Sequence, residues 1–345
     1  MKRSLHNNNK IMKNPNLLKI IISSQFVLGF FINFAANASD SYNIRPDDHA
    51  PIGVMRDHVH KKGEIMTSYR FSYMKMQGAI SGNDKVSSAE ILKKYMMAPE
   101  KMEMKMHMVG AMYGFTDNLT ISAMGIFVEK DMKMINQMDK TINREVSGFG
   151  DTKIQSMYQF FKNSNNRAQF NLGLSIPTGN IKQEQEGSRI VYGMQLGSGS
   201  YEILPGISYS GHQDTYSYGA QMNGVFRLND NNNDYKLADS YNITAWSAKK
   251  LNKSFSISTR LNYTITKKIK GRDKDLNIMM SPTSKASSTG GRKLDFLVGA
   301  NFIVPHGFLK GNRLAIEGAV PIYQDLNATQ LAADYKVILG WQKAF

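Results

Sequence analysis

The 345-residue chain has no cysteine, two tryptophans and nine prolines, and its 28 acids are outnumbered by 43 lysines and arginines. Without cysteine there is no disulfide framework and no thiolate for metal binding or catalysis. Long apolar runs are nearly missing too. The one such run, 20–34, is short for a membrane-spanning helix, and no other segment could cross a bilayer as a helix. No acid precedes Asp40, whereas Lys2, Arg3, Lys10, Lys13 and Lys19 make a basic leader to that run. Ala36-Asn37-Ala38 then supplies a small-x-small cleavage pattern before Ser39. Together these features predict a cleaved secretory signal peptide over 1–38.

The formal charge is +15, of which the leader contributes five, leaving +10 on the exported part. No nucleic-acid-binding module accompanies that charge, and export excludes nucleic acid as a partner. A basic surface facing anionic lipopolysaccharide accounts for it instead. Mean hydropathy is −0.38, which looks too polar for a membrane protein. Barrels alternate lipid-facing and lumen-facing residues, however, so an average hides the apolar half.

What is present is period-two patterning. Phe255, Ile257, Thr259, Leu261, Tyr263 and Ile265 alternate with Ser254, Ser256, Ser258, Arg260, Asn262 and Thr264. Ala168, Phe170, Leu172, Leu174 and Ile176 alternate likewise with Arg167, Gln169, Asn171, Gly173 and Ser175. At the C-terminus Tyr335, Val337, Leu339, Trp341 and Phe345 share one strand face, interrupted only by Lys343. That is the pattern of a closing barrel strand, and Phe345 resembles the terminal signal read by the outer-membrane barrel-assembly machinery.

About a dozen such segments are expected, near 64–77, 101–115, 118–130, 150–161, 167–176, 202–211, 214–228, 239–250, 253–265, 292–304, 312–321 and 332–345. The links between them alternate in length. Short ones fall at 115–119, 162–166, 211–214, 250–252 and 305–311, and long ones at 78–100, 131–149, 177–201, 229–238, 266–291 and 322–331. Short periplasmic turns and long outer loops predict an all-β fold: a transmembrane antiparallel up-and-down β-barrel of about 12 strands over 64–345. Residues 39–63 precede it as a periplasmic tail or partial plug. The location implied is the outer membrane of a Gram-negative bacterium.

Several motifs resemble the outer-membrane family labelled putative MetA-pathway of phenol degradation. They are Tyr113-Gly114-Phe115-Thr116-Asp117-Asn118-Leu119-Thr120, Gly148-Phe149-Gly150-Asp151, Leu174-Ser175-Ile176-Pro177-Thr178-Gly179-Asn180 and Leu196-Gly197-Ser198-Gly199-Ser200. The resemblance covers roughly 105–345 and implies an outer-membrane channel, in some members linked to aromatic compounds. These are turn and loop-base elements, so they speak for architecture more than for substrate. Asp151, a single carboxylate in a turn, reads as structural rather than catalytic.

Methionine departs from the general pattern. Fifteen of the 22 methionines lie between positions 55 and 138. Met102, Met104, Met106 and Met108 share one strand face, opposite Lys101, Glu103, Lys105 and His107. The same richness, with Asp48-His49-Ala50-Pro51-Ile52-Gly53-Val54-Met55 and Asp57-His58-Val59-His60, resembles a Met-rich subgroup that implies copper handling. Thioethers bind Cu(I) and imidazoles bind Cu(II) or zinc. Candidate metal ligands are therefore His49, Met55, His58, His60, Met96, Met97, Met132 and Met134, with copper the only cofactor suggested.

On Met102 to Met108, lipid contact is the simpler expectation, because the opposite row is charged. That row joins the expected lumen and selectivity set: Lys101, Glu103, Lys105, His107, Arg167, Arg260, Asp295, Arg313 and Glu317. His58 and His60 otherwise read as a solvated segment beside the membrane. No GxSxG-type elbow and no paired carboxylates accompany His107, His212 or His306, so an enzyme is not expected. The reading is a channel or transporter for small solutes, with metal ions or aromatic compounds as candidates. The alternative is a copper-binding or structural barrel that does not conduct.

Overall fold

A computed structural model describes residues 45–345, and the expected signal peptide and the cut before Ser39 lie outside the described residues. No helix among the described residues is long and apolar enough to cross a membrane. The chain forms eleven strands of a closed antiparallel sheet. They are β1 (Ile65–Gly82), β2 (Met97–Thr116), β3 (Leu119–Asn136), β4 (Thr152–Lys162), β5 (Asn166–Ile176), β6 (Glu202–His212), β7 (Tyr216–Arg227), β8 (Ser240–Lys250), β9 (Phe255–Thr266), β10 (Gly291–Ile303) and β11 (Arg313–Ala344). Each pairs with its sequence neighbour, and β11 returns to pair with β1. Two more strands, Asp84–Val86 and Thr141–Phe149, lie outside the ring and pair with β1 and β3.

A closed ring in which every neighbour is antiparallel needs an even number of runs. Eleven elements satisfy this because β11, 32 residues long, runs both ways. Its first part pairs with β10 from Ile303↔Arg313 to Gly291↔Leu326, and its second with β1 from Met66↔Ala344 onwards. Arg313 donates to the side chain of Gln342, and Gln324 and Ala333 exchange hydrogen bonds, so the chain doubles back between them. The expectation of about twelve strands and the observed eleven differ only at this element.

Side chains alternate along each strand as the pleat requires. On β9, Phe255, Ile257 and Leu261 face outward and are exposed, while Ser256, Ser258 and Arg260 are buried inward. On β11, Leu314, Ile316 and Val320 face outward and Arg313, Ala315 and Glu317 inward. At one end the links are short: 117–118, 163–165, 213–215, 251–254 and 304–312. At the other end 83–96, 177–201, 228–239 and 267–290 are long.

Two expected long loops are strand instead. Over 131–149, β3 continues to Asn136, turns through 137–140 and returns as Thr141–Phe149. Asn136 makes that turn by accepting from the N–H groups of Met138 and Lys140. Over 322–331 pairing likewise continues, to Leu326 on both sides, and the chain doubles back within this stretch. Polarity there suggested loop, but it reports contact with water, and a strand rising past the lipid band is wet on its outer face.

The family-like motifs converge on one carboxylate at the long-loop end. Asp151, between Thr141–Phe149 and β4, accepts from the Gly179 N–H at 2.9 Å and from the N–H and hydroxyl of Ser198 at 2.8 and 2.7 Å. Thr178 donates to the Gly150 carbonyl. Gly179 and Gly197 cross so closely that a Cβ on either would meet the other's backbone. This clasp folds loop 177–201 into the barrel mouth, where Ile190, Val191, Met194 and Leu196 join a buried apolar cluster.

That cluster reverses the expected sides of β2. Met102, Met132 and Met134 are buried in it, with Met76, Met97, Met104 and Met106 packed against them. The methionines therefore face inward. Lys101, Glu103, Lys105 and His107 face outward and pair in register with Gln77, Lys75, Tyr73 and Phe71 of β1. There they meet Tyr69, Tyr73 and Glu129, with Tyr73 donating to Glu103 and the Tyr69 hydroxyl 2.8 Å from His107 Nδ1. The inward loop supplies an apolar partner inside the barrel, while the outward row at this height lies among other charged and phenolic groups.

Candidate functional site

Residues 45–63 run through the barrel interior. Pro46, Pro51 and Gly53 keep this stretch out of regular structure, so its backbone must find partners on the wall. Ser256 donates to the Pro46 carbonyl, Arg313 to those of His49 and Ala50, Gln221 to that of Met55, and Gln169 to that of Arg56. Arg167 donates to the Asp48 carbonyl, and the Gly53 N–H donates to Glu317 at 3.0 Å. Arg56 reaches the Leu204 carbonyl and Asn223. Apolar contacts are few: Ala50 and Val54 against Trp246, and Ile52 against Ala315 and Ile338.

At its end the segment approaches β2, where Gly63 donates to the Gly114 carbonyl and Gly114 to that of Glu64. A Cβ at Gly114 would overlap the Lys61 carbonyl, which gives the glycine of the Tyr113-Gly114-Phe115 motif a physical reason. The His60 N–H donates to Thr120 and that of Lys62 to Asp117.

The expected lumen residues separate into two groups. Arg167, Arg260, Arg313 and Glu317 face inward and hold this segment or one another. Asp295 also faces inward, 3.6 Å from Lys293, and both line a cavity of about 230 Å³ with Gly53, Arg260, Asn262 and Lys336. Lys101, Glu103, Lys105 and His107 do not take part in the lumen.

The candidate metal ligands also divide. His49, His58 and His60 come together with Asp57 and Glu64, two carboxylates outside the expected set. His58 Nδ1 lies 2.9 Å from Asp57 Oδ1, His58 Nε2 3.1 Å from His60 Nε2, His60 Nδ1 3.4 Å from Glu64 Oε1, and His49 Nδ1 3.8 Å from Asp57 Oδ2. Ligand atoms of His49, Asp57 and His58 all fall within 4.8 Å of one another. Burial holds His49 well below the usual histidine value, and burial also lowers His60 against the pull of Glu64. Burial alone would raise the Asp57 carboxyl, but His58 beside it holds Asp57 well below the ordinary range.

The Met55 carbonyl accepts from Gln221. Met132 and Met134 belong to the mouth cluster, Met97 packs against it, and Met96 is half exposed, its N–H bonded to the Met279 carbonyl. Twelve residues separate Thr120, beside His60, from Met132 on the same strand, roughly 40 Å of strand rise. The mouth methionines Met132 and Met134 thus lie far from the imidazoles, whereas Met157, which was not among the candidate ligands, is buried in register with Thr120.

No family model matches the chain, and no curated protein matches it. Among solved structures, an outer membrane channel from Pseudomonas putida F1 is similar at a TM-score of 0.59 and 15% identity, over 89% of this chain and all of that one. The KdgM porin (TM-score 0.39, 12% identity, 81% of this chain and 99% of that one) and the Ralstonia pickettii toluene transporter TbuX (0.42, 10%, 83% and 90%) are more distant. The likeness to the first extends over the whole of that barrel. By fold, this chain is an antiparallel β-barrel similar to that of the Pseudomonas putida channel.

Proposed function

We propose that the protein is an outer-membrane channel for small solutes, with residues 45–63 as a removable plug in its lumen. The observation that carries this reading is how the segment is held. Its partners are mostly hydrogen-bonding side chains of the wall, which water can replace when the segment leaves. Short turns at one end and long loops at the other support a periplasmic entry for the plug and an outer mouth at the long-loop end.

The cavity beside Gly53 is the candidate solute path. Of its charged lining, Arg260 is paired with Glu317 and Lys293 with Asp295, so Lys336 supplies the excess positive charge, which favours anionic over cationic solutes. The motif resemblance to the MetA-pathway family and its Met-rich subgroup adds aromatic compounds and metal ions as candidates. Export by a cleaved signal peptide, assembly through Phe345 and a lipopolysaccharide-facing outer surface belong to the same reading.

The experiment is conductance in planar bilayers, comparing the mature chain with a variant lacking 45–63. A small conductance that rises several-fold on deletion, with a reversal potential favouring anions, is the expected result. A silent deletion variant would instead favour a copper-binding or structural barrel that does not conduct. One feature supports that second reading: the methionine cluster packs the long-loop mouth with apolar side chains.

A further inference from the structure

The chain Glu64–His60–His58–Asp57 has three polar contacts, at 3.4, 3.1 and 2.9 Å, and each needs one positive species between its atoms. Two neutral imidazoles carry only two N–H groups between them. If Glu64 takes the Nδ1–H of His60, the free Nε2 of His60 must accept from the Nε2–H of His58. That leaves the Nδ1 lone pair of His58 facing the Asp57 carboxylate, acceptor against acceptor. With both imidazoles neutral, the cluster is one proton or one metal cation short. His49 brings a further imidazole to the same spot, and its buried Nδ1 makes no hydrogen bond.

We propose that Asp57, His58 Nδ1 and His49 Nδ1 form a binding site for a divalent transition-metal ion of the zinc class, inside the barrel. Two ligands on a tetrahedral zinc lie about 3.3 Å apart, from metal–ligand distances near 2.0–2.1 Å. The observed 2.9 Å from His58 Nδ1 to Asp57 Oδ1 and 3.8 Å from His49 Nδ1 to Asp57 Oδ2 fall on either side of that spacing, and the ligand atoms of all three residues lie within 4.8 Å of one another. Imidazole and carboxylate suit zinc or Cu(II) rather than Cu(I), which prefers thioethers. His60 and Glu64 serve as positioning residues, fixing the tautomer that turns the His58 lone pair toward the ion. Binding displaces any proton held between His58 and Asp57, so charge balances. The site rests on the interior position of residues 45–63 and not on the solute path, which conductance reads separately.

The test is calorimetric titration of the purified, chelator-washed protein in detergent with zinc chloride, together with the absorption spectrum of the cobalt(II) form. One zinc per chain and a tetrahedral cobalt spectrum are expected. Affinity should fall at least about 100-fold in His58→Ala and Asp57→Asn, beyond the roughly 10–100-fold typical of losing an outer partner, and stay unchanged in His306→Ala. Should a ligand deletion loosen the segment, His49→Cys gives an independent readout. It should keep cobalt and add a sulfur-to-metal charge-transfer band. Wild-type protein that takes no zinc, zinc binding that survives His58→Ala, or a His49→Cys spectrum without that band would each overturn the site.

Discussion

Arg260 and Glu317 form a bidentate ion pair inside the barrel, Nε to Oε1 and Nη2 to Oε2 both at 2.8 Å, and the Gly53 N–H donates to the same carboxylate. Both side chains are almost fully buried. The pair ties β9 to β11 and holds the middle of the interior segment. Glu317→Gln leaves the Arg260 charge without its partner, and about 3–5 kcal/mol of stability should be lost. The double variant Arg260→Met with Glu317→Leu should lose far less, because an apolar pair carries no stranded charge. Urea unfolding of the barrel in detergent measures both, and equal losses in the two variants would refute the ion-pair account.

Gly53 is the point of contact between the segment and that pair. A Cβ there would overlap the Glu317 carboxylate, the Arg260 guanidinium and the Ile338 side chain. Gly53→Ala should therefore push the segment from its seat while leaving the strands paired. Single-channel recording should show longer or larger openings, with an unchanged circular-dichroism spectrum. A recording identical to wild type would mean that this contact does not hold the segment.

Asp151 carries the clasp at the long-loop end. Asp151→Ala strands the N–H groups of Gly179 and Ser198, each at a cost of about 1–3 kcal/mol if they stay buried. Loop 177–201 should open, and limited proteolysis should cut within it several times faster than in wild type. The barrel itself should stay resistant. Protection equal to wild type would show that the glycine crossing alone is enough.

The two faces of β3 should respond very differently to truncation. Met132 is 4% exposed within the mouth cluster, so Met132→Ala should cost about 2–5 kcal/mol. Lys133, on the outer face and paired with Glu100, should change stability by no more than about 0.5 kcal/mol when replaced by alanine. Denaturant midpoints of the two variants check this, and the reverse order would return the methionines to the lipid side.

Much of the barrel was legible because a membrane strand must alternate. Phe255 to Ile265 and Ala168 to Ile176 show their outward faces as apolar rows against serine, asparagine and arginine. The inward placement of Arg167 and Arg260 follows from the same rows, and that of Arg313 and Glu317 from the outward row Leu314, Ile316 and Val320. β2 was read backwards for a physical reason. Its row of methionines is apolar and its other row charged, so composition alone assigns the methionines to lipid. The inward fold of Ile190, Val191, Met194 and Leu196 makes the lumen apolar at that height, and no local pattern announces it.

Period two and turn chemistry were enough for the class of fold, for most strand positions and for the inner and outer faces of most strands, β2 and the extension of β3 with Thr141–Phe149 excepted. His49, His58 and His60 were candidate metal ligands from the sequence, but the solvated segment expected for His58 and His60 is overturned, since both are buried. That residues 45–63 lie inside the barrel, that Asp57 and Glu64 complete the histidine cluster and that Asp151 holds Gly179 and Ser198 emerges from packing alone. Those relations depend on which side chains meet across a closed sheet, and closure brings together residues as far apart as Gly53 and Glu317.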